Sequence, residues 1–223
     1  YFGTDAFNVN ETGQFTTASG AFRDKSFVLA ADVTDADLVV ISVEGKRGGG
    51  NAPSESVVLA ADVTGDTMTL SASHPAALGA SFSASSGQFT IMTPSDTDPT
   101  NETHGVWFVA GSGDNLSAGL SLPALPSGWV YEGWVETADN GRFSTGTFTA
   151  NSGQDSSFFY SNPDVPPFPG EDFLFNAPAG VVFPLVLSGH TVTITAEPFP
   201  DDTIAPYGIT VLQGSIPSGV QGG

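Results

Sequence analysis

Residues 129–150 read WVYEGWVETADNGRFSTGTFTA. Two runs rich in aromatic and β-branched residues, Trp129–Glu136 and Arg142–Ala150, flank the turn formers Asp139–Gly141. Asp, Asn and Gly adopt turn conformations at low cost, and the flanking runs suit a pleated, half-buried surface. The stretch therefore predicts a β-hairpin.

The same pattern continues outward, with no sustained helical period. Runs rich in Val, Ile, Thr and Phe occur before the hairpin at Ser26–Val33, Leu38–Glu44, Ser56–Val63, Thr67–Ser73, Gln88–Thr93 and Gly105–Ala110. After it come Val182–Leu187, Thr191–Glu197 and Ile209–Gln213. Short strands separated by turn signals predict antiparallel pairing rather than βαβ units. The expected fold is all-β: an antiparallel β-sandwich, Ig-like or jelly-roll-like, over residues 23–216. An extended N-terminal arm, residues 1–22, precedes it. A Gly/Ser-rich tail, residues 217–223, follows and is expected to fray. The one helix-like stretch, Pro75–Ala80, is too short to alter this class.

Val-Leu-Ala-Ala-Asp-Val-Thr occurs at 28–34 and again at 58–64. One pair of copies is too few for a solenoid. It predicts two similar strand-to-turn units, with Asp32 and Asp62 near strand ends. The segment Gln154–Pro178 holds Pro163, Pro166, Pro167, Pro169 and Pro178, and also Phe158, Phe159, Phe168, Phe173 and Phe175. A connection this long is uncommon unless functional or packed down. Its aromatics predict that it lies over a sheet face.

The 223 residues carry a formal charge of −19, from 24 acidic and only 5 basic residues. The basic ones are Arg23, Lys25, Lys46, Arg47 and Arg142. Charged residues are 13% of the chain, about half the usual ~25%, so the anomaly is missing Lys and Arg. Nucleic-acid binding is excluded for want of a basic footprint. No apolar run reaches the ~20 residues of a transmembrane helix. With no cysteine, disulfides and thiolate metal sites are excluded. A start at Tyr1 without Met leads to the expectation of an exported, cell-surface protein whose signal segment has been removed.

From Gly119 onward the runs GLSLPALPSGWVYEGWVE (119–136), RFSTGTFT (142–149), PPFPGEDFL (166–174), HTVTITAEPFPDD (190–202) and PYGITVLQGSIP (206–217) resemble a known family. It is the extracytoplasmic β domain of anti-sigma factors, similar to the C-terminal part of anti-sigma-K regulators, in Bacteroidota-related bacteria. Leu38–Gly45 and Gly105–Val109 fit more loosely. The resemblance implies an exported β-sandwich and an extracytoplasmic sensor or regulatory ectodomain. It carries over no catalytic residues.

In a regular strand Trp129 and Tyr131 share one face, and Glu132 and Trp134 the other. These aromatics suit core packing, an interface anchor or a sugar-stacking platform of a carbohydrate-binding adhesin module. A buried Glu132 requires a partner, and Arg142 is the expected one. Asp32, Asp35 and Asp37 form one acidic loop, and Asp96, Asp98 and Glu102 another. Hard oxygens on a loop suit Ca²⁺, but Asp is also an ordinary turn residue, and neither loop has an EF-hand spacing. Asp201–Asp202 reads as a turn. His74, His104 and His190 show no metal-ligand spacing, and no G-x-S-x-G elbow occurs. Sequons at Asn10, Asn101 and Asn115 are candidate glycosylation sites, with Asn101 placed best, in a polar loop.

These readings converge on a non-enzymatic structural subunit of an extracellular filament or surface layer, with copies of itself as partner and no cofactor. Polymerisation by β-strand addition is expected, with Phe2, Phe7, Val9 and Phe15 of the arm at the subunit interface and Ile209–Gln213 as the rival donor strand.

Overall fold

The computed structural model describes residues 2–3, 9–10, 13, 33–45, 53–98, 100–139, 141–201 and 203–220. The predicted strand Ser26–Val33, apart from Val33, lies outside them, as do Phe7, Phe15 and Asp32. Only backbone is described for Phe2, Val9 and Asn10. The fold is all-β, with antiparallel sheets and no helix among the described residues. Packing divides the chain into two compact units, residues Tyr1–Ala80 with Leu125–Trp129, and Ser81–Ala124 with Val130–Gly223. This differs from the division into arm, sandwich and tail.

The first unit is built on one sheet. Its strands are β1 (Phe2–Gly3), β2 (Val9–Asn10), β3 (Leu38–Ser42) and β4 (Val57–Asp62), in the order β2-β1-β3-β4. The β-branched run of β3 pairs with β4 from Leu38↔Asp62 to Ser42↔Val57, with a register shift after Ile41. Asp62 ends β4, as the repeat predicts. Phe2 and Gly3 pair with Val39 and Leu38 of their own chain, and β2 folds back on them. The predicted strand Thr67–Ser73 reduces to a single bridge, Ser71 to Ala60. Its side chains alternate only between exposed and half-buried, so no core face holds it. Pro75–Ala80 forms turns, which bury Ala77 and Leu78.

The second unit holds the larger core. Its strands are β5 (Ser86–Gly87), β6 (Thr90–Ile91), β7 (Gly105–Trp107), β8 (Val109–Ala110), β9 (Ser117–Ala118), β10 (Leu120–Ser121), β11 (Trp129–Glu136), β12 (Arg142–Phe148), β13 (Gly170–Asp172), β14 (Thr191–Pro198) and β15 (Thr210–Ser215). They form sheets β12-β11-β14-β15, β13-β7-β6, β10-β5 and β8-β9. Strand β11 is buried on both faces, which explains its near-continuous apolar run. One aromatic cluster joins Phe82, Phe108, Tyr131 and Phe148, and a second joins Phe143, Tyr160, Phe173 and Phe183.

Three expectations change here. The predicted strand Gly105–Ala110 breaks at Phe108, whose N–H turns aside to the Pro169 carbonyl (3.0 Å). Val182–Leu187 is not a strand: Val182 and Val186 are exposed, and Pro184 has no N–H to give a ladder. Gln154–Pro178 does supply core, through Tyr160, Leu174 and the fully buried Phe173, but Phe158, Phe159 and Phe175 stay exposed. It also contains β13, which pairs with β7 through Glu171↔Val106.

Candidate functional site

The aromatic trio is buried. Trp129, Tyr131 and Trp134 are 3%, 1% and 2% exposed, so no ring presents a face for sugar stacking. Tyr131 stacks on Phe148 and donates its hydroxyl to the Pro123 carbonyl at 2.7 Å. Its loss of solvent pushes the phenol up to about 12. The Trp134 indole donates to Thr195 Oγ1 at 2.9 Å.

The predicted calcium loops do not gather. Asp35 and Asp37 are exposed. Asp96 and Asp98 close turns on themselves: the Asp98 N–H donates to Asp96 Oδ1, and the Thr100 N–H to Asp98 Oδ1, both at 2.9 Å. The second Asp96 oxygen accepts the Asn101 side-chain amide (2.7 Å), and Glu102 accepts the Thr93 N–H (2.7 Å). These carboxylates serve as turn acceptors. Asn101 is half-buried, whereas Asn115 is exposed.

The convergent acidic group lies elsewhere. Glu132 on β11, Glu197 on β14 and Asp201 just past β14 each place a carboxylate oxygen within 4.8 Å of the others. Neighbouring strands β11 and β14 bring the two glutamates together, and the chain after Pro198 turns back to add Asp201. Glu132 and Glu197 are 5% and 0% exposed, while Asp201 is half-buried.

Donors meet some of these oxygens. The Ser144 hydroxyl donates to Glu132 Oε1, and the Thr195 hydroxyl to Glu197 Oε1. The Tyr207 N–H is shared between Glu197 Oε1 (3.0 Å) and Oε2 (2.9 Å). Glu132 Oε2 is buried and accepts no hydrogen bond. Burial pushes the Glu132 carboxyl up to about 8; the Ser144 hydroxyl opposes this, and Asp201 and Glu197 add to it. Burial also raises Glu197, opposed by its Thr195 and Tyr207 donors.

The expected Glu132–Arg142 pair does not form. The tight turn sets Glu136 opposite Arg142, and the guanidinium lies 3.9 Å from Glu136. Arg142 is the one Lys or Arg among the described residues. A bulge at Thr145, between Gly133↔Gly146 and Trp134↔Ser144, places the Ser144 hydroxyl at Glu132 instead.

A second acidic group surrounds β13. Asp172 Oδ1 accepts the Trp107 indole N–H at 2.7 Å, and Oδ2 the Ser95 N–H at 2.8 Å. The Ser161 hydroxyl donates to Glu171 Oε1 and accepts the Asp172 N–H at 2.7 Å. Asp155 accepts the Gly170 and Ser157 N–H groups. Burial pushes Glu171 up to about 8 and Asp155 to about 7, and raises Asp172. Donors meet the Asp172 and Asp155 oxygens and Glu171 Oε1, while Glu171 Oε2 is buried without a donor; the group reads as a structural network.

A groove of about 410 Å³ in the first unit is lined by Ala60, Asp62, Met68, Ser71, Ser73 and His74, among others. His74 Nε2 lies 3.4 Å from Asp62 Oδ1, and Nδ1 accepts the Ala76 N–H at 3.1 Å. Both ring nitrogens are engaged, which leaves neither to activate a neighbouring serine.

Among the described residues, strand β15 ends its sheet as an open edge, with no strand beyond it. Ile216 exchanges main-chain bonds with His190 and Gly189, at 2.8 and 3.1 Å. Antiparallel alternation then points the main-chain groups of Gln213 and Ser215 outward, and both residues are exposed. The strand, TVLQGS, has neither charge nor proline.

No family model matches the chain, and neither a curated protein nor a solved structure matches it. Among the described residues, no helix is long and apolar enough to cross a membrane.

Proposed function

We propose that this chain is a non-enzymatic structural subunit of an extracellular filament or surface layer, joined to copies of itself by β-strand addition. The open edge of β15 carries this reading. Native edges are ordinarily guarded by Lys, Pro or short length, because unpaired main-chain groups template further strands. Six uncharged residues without such a guard suit an edge that is covered by another strand. The N-terminal arm supports the donor role. Its described pairings, β1 with β3 and β2 with β1, span only two residues each, so few main-chain bonds resist their exchange to a neighbour. A donor that docks head to tail does not close on itself and extends as a fibre.

Electron microscopy and sedimentation of concentrated protein test the reading. Fibres or oligomers that disappear on deleting residues 1–22 are expected. Dispersed monomers at every concentration, and on the producing cells, overturn it.

A further inference from the structure

We propose that Glu132, Glu197 and Asp201 form a divalent-cation site selective for Ca²⁺, which ties the chain after β14 to the β11–β14 seam. The inference stands apart from the assembly reading, since it concerns the single chain.

The donor set is all carboxylate oxygen, with no imidazole or thiolate. Such a set selects hard cations. Oxygens bound at about 2.4 Å to one ion lie about 3–5 Å apart, from neighbouring to opposite corners. The three carboxylates, with oxygens within 4.8 Å of one another, fit this spacing.

A second observation points to the same ligand. Ser144 occupies Oε1 of Glu132, and Oε2 has no donor although Glu132 is 95% buried; its contact with the Asp201 carboxyl is a hydrogen bond only when the two share a proton. A buried carboxylate oxygen without a donor is costly, and a cation satisfies it. No basic side chain fills that role: among the described residues, Arg142 and His74 form the ion pairs, with Glu136 and Asp62.

The other two carboxylates are arranged to help. Glu197 is held by Thr195 and Tyr207, yet a carboxylate offers about four lone-pair sites, which leaves capacity for an ion. Thr195 in turn accepts the Trp134 indole N–H, which fixes the hydroxyl toward Glu197. Asp201 is the half-buried member, and it opens the site to solvent for entry and for bound water. Its Oδ1 accepts the Thr203 N–H at 2.8 Å and the Thr203 hydroxyl at 3.2 Å. Ca²⁺ tolerates such an irregular, partly hydrated shell, whereas Mg²⁺ demands near-octahedral geometry.

The test uses the full chain, stripped with chelator, near neutral pH. Thermal unfolding is followed with added Ca²⁺ or Mg²⁺, and Tb³⁺ luminescence is excited through the tryptophans, Trp134 being linked to the site by Thr195. At about millimolar Ca²⁺ the melting temperature is expected to rise, with a smaller rise for Mg²⁺. Tb³⁺ emission should appear and be displaced by Ca²⁺. Asp201→Asn, at the half-buried position where folding is least at risk, should weaken Ca²⁺ about tenfold or more. Glu132→Gln should abolish the response. Asp98→Asn, in the self-satisfied loop, should leave it unchanged. An unresponsive wild-type chain overturns the site and leaves a shared proton as what neutralises Glu132. A response that survives Asp201→Asn, or is lost in Asp98→Asn, also overturns it.

Discussion

The indole N–H of Trp107 on β7 donates to Oδ1 of Asp172 on β13 at 2.7 Å, with Trp107 only 1% exposed and Asp172 fully buried. The contact joins two strands that the sequence separates widely. It supplies one donor of the Asp172 side chain, beside Ser95, which offers its N–H and its side chain. Trp107→Phe keeps most of the apolar volume and removes that donor. The expected cost is about 2–3 kcal/mol, the range for a hydrogen bond to a charged or strongly polar acceptor in the interior. Urea unfolding measures it, and a loss below about 1 kcal/mol would show the bond to be dispensable.

Stability should fall as pH rises from the acid range to about 8. In the native chain Glu171 holds its proton up to about 8 and Asp155 up to about 7, both because burial disfavours charge. The unfolded chain releases them near the ordinary 4.5 and 3.8. Between those limits the unfolded state binds fewer protons, so its share grows with pH. The contribution is full below the unfolded values and is lost by the folded ones. Urea midpoints across this range, with chelator present, test the slope, and Glu171→Gln should make it shallower, with Asp155 and Glu132 keeping their own contributions. A rising profile would contradict the burial of these carboxyls.

Gly105 allows β7 to approach β13. A Cβ there would lie 1.9 Å from Asp172 Oδ1 and 2.2 Å from the Met92 carbonyl oxygen. Gly105→Ala should therefore prevent stable folding or cost several kcal/mol, as overpacking against backbone does. Gly65 has nothing within 4 Å of the same position and does not occupy the left-handed region. Gly65→Ala should be neutral or stabilise by up to about 1 kcal/mol. Expression level and melting temperature separate the two, and equal behaviour would disprove the steric account.

Gln213→Pro examines the open edge. The Gln213 N–H points away from β14, so proline there should leave the β14–β15 ladder bonds intact while blocking an added strand. Circular dichroism should stay native, and sedimentation should show loss of oligomers. Subunits of formal charge −19 also repel one another, so assembly should strengthen with ionic strength until screening is complete. Unchanged assembly in the variant would place the docking edge elsewhere.

The all-β class and the central strands were legible from pattern alone. Trp129–Glu136 matches its predicted bounds, and Thr191–Glu197 extends by only Pro198. Both are long runs whose β-branched and aromatic residues face packed layers. Strand β13 was not legible, because Gly-Glu-Asp is a turn composition. It is buried only because Ser95, Trp107 and Ser161 bring donors from distant segments. The acidic group of Glu132, Glu197 and Asp201 was hidden for a similar reason. Its members meet through the pairing of β11 with β14, which no local spacing records. The signal within reach was a pair of glutamates inside runs otherwise apolar or hydroxylated. Arg142 was assigned to the wrong glutamate because partnership depends on hairpin register, which is set by the turn.

The strand order β12-β11-β14-β15 also has a meaning in time. Each outer pair is joined by a short connection, whereas the central seam waits on the whole of segment 137–190. Loop closure penalises such distant contacts before they are rewarded. Local pairing therefore favours the two hairpins as early events and their docking as a later one. Until it occurs, both inner strands are unpaired along their facing edges. For a nascent chain, that interval is when one copy's hairpin can dock on another's, so the same sheet that defines the native fold also defines its most direct route to misassembly.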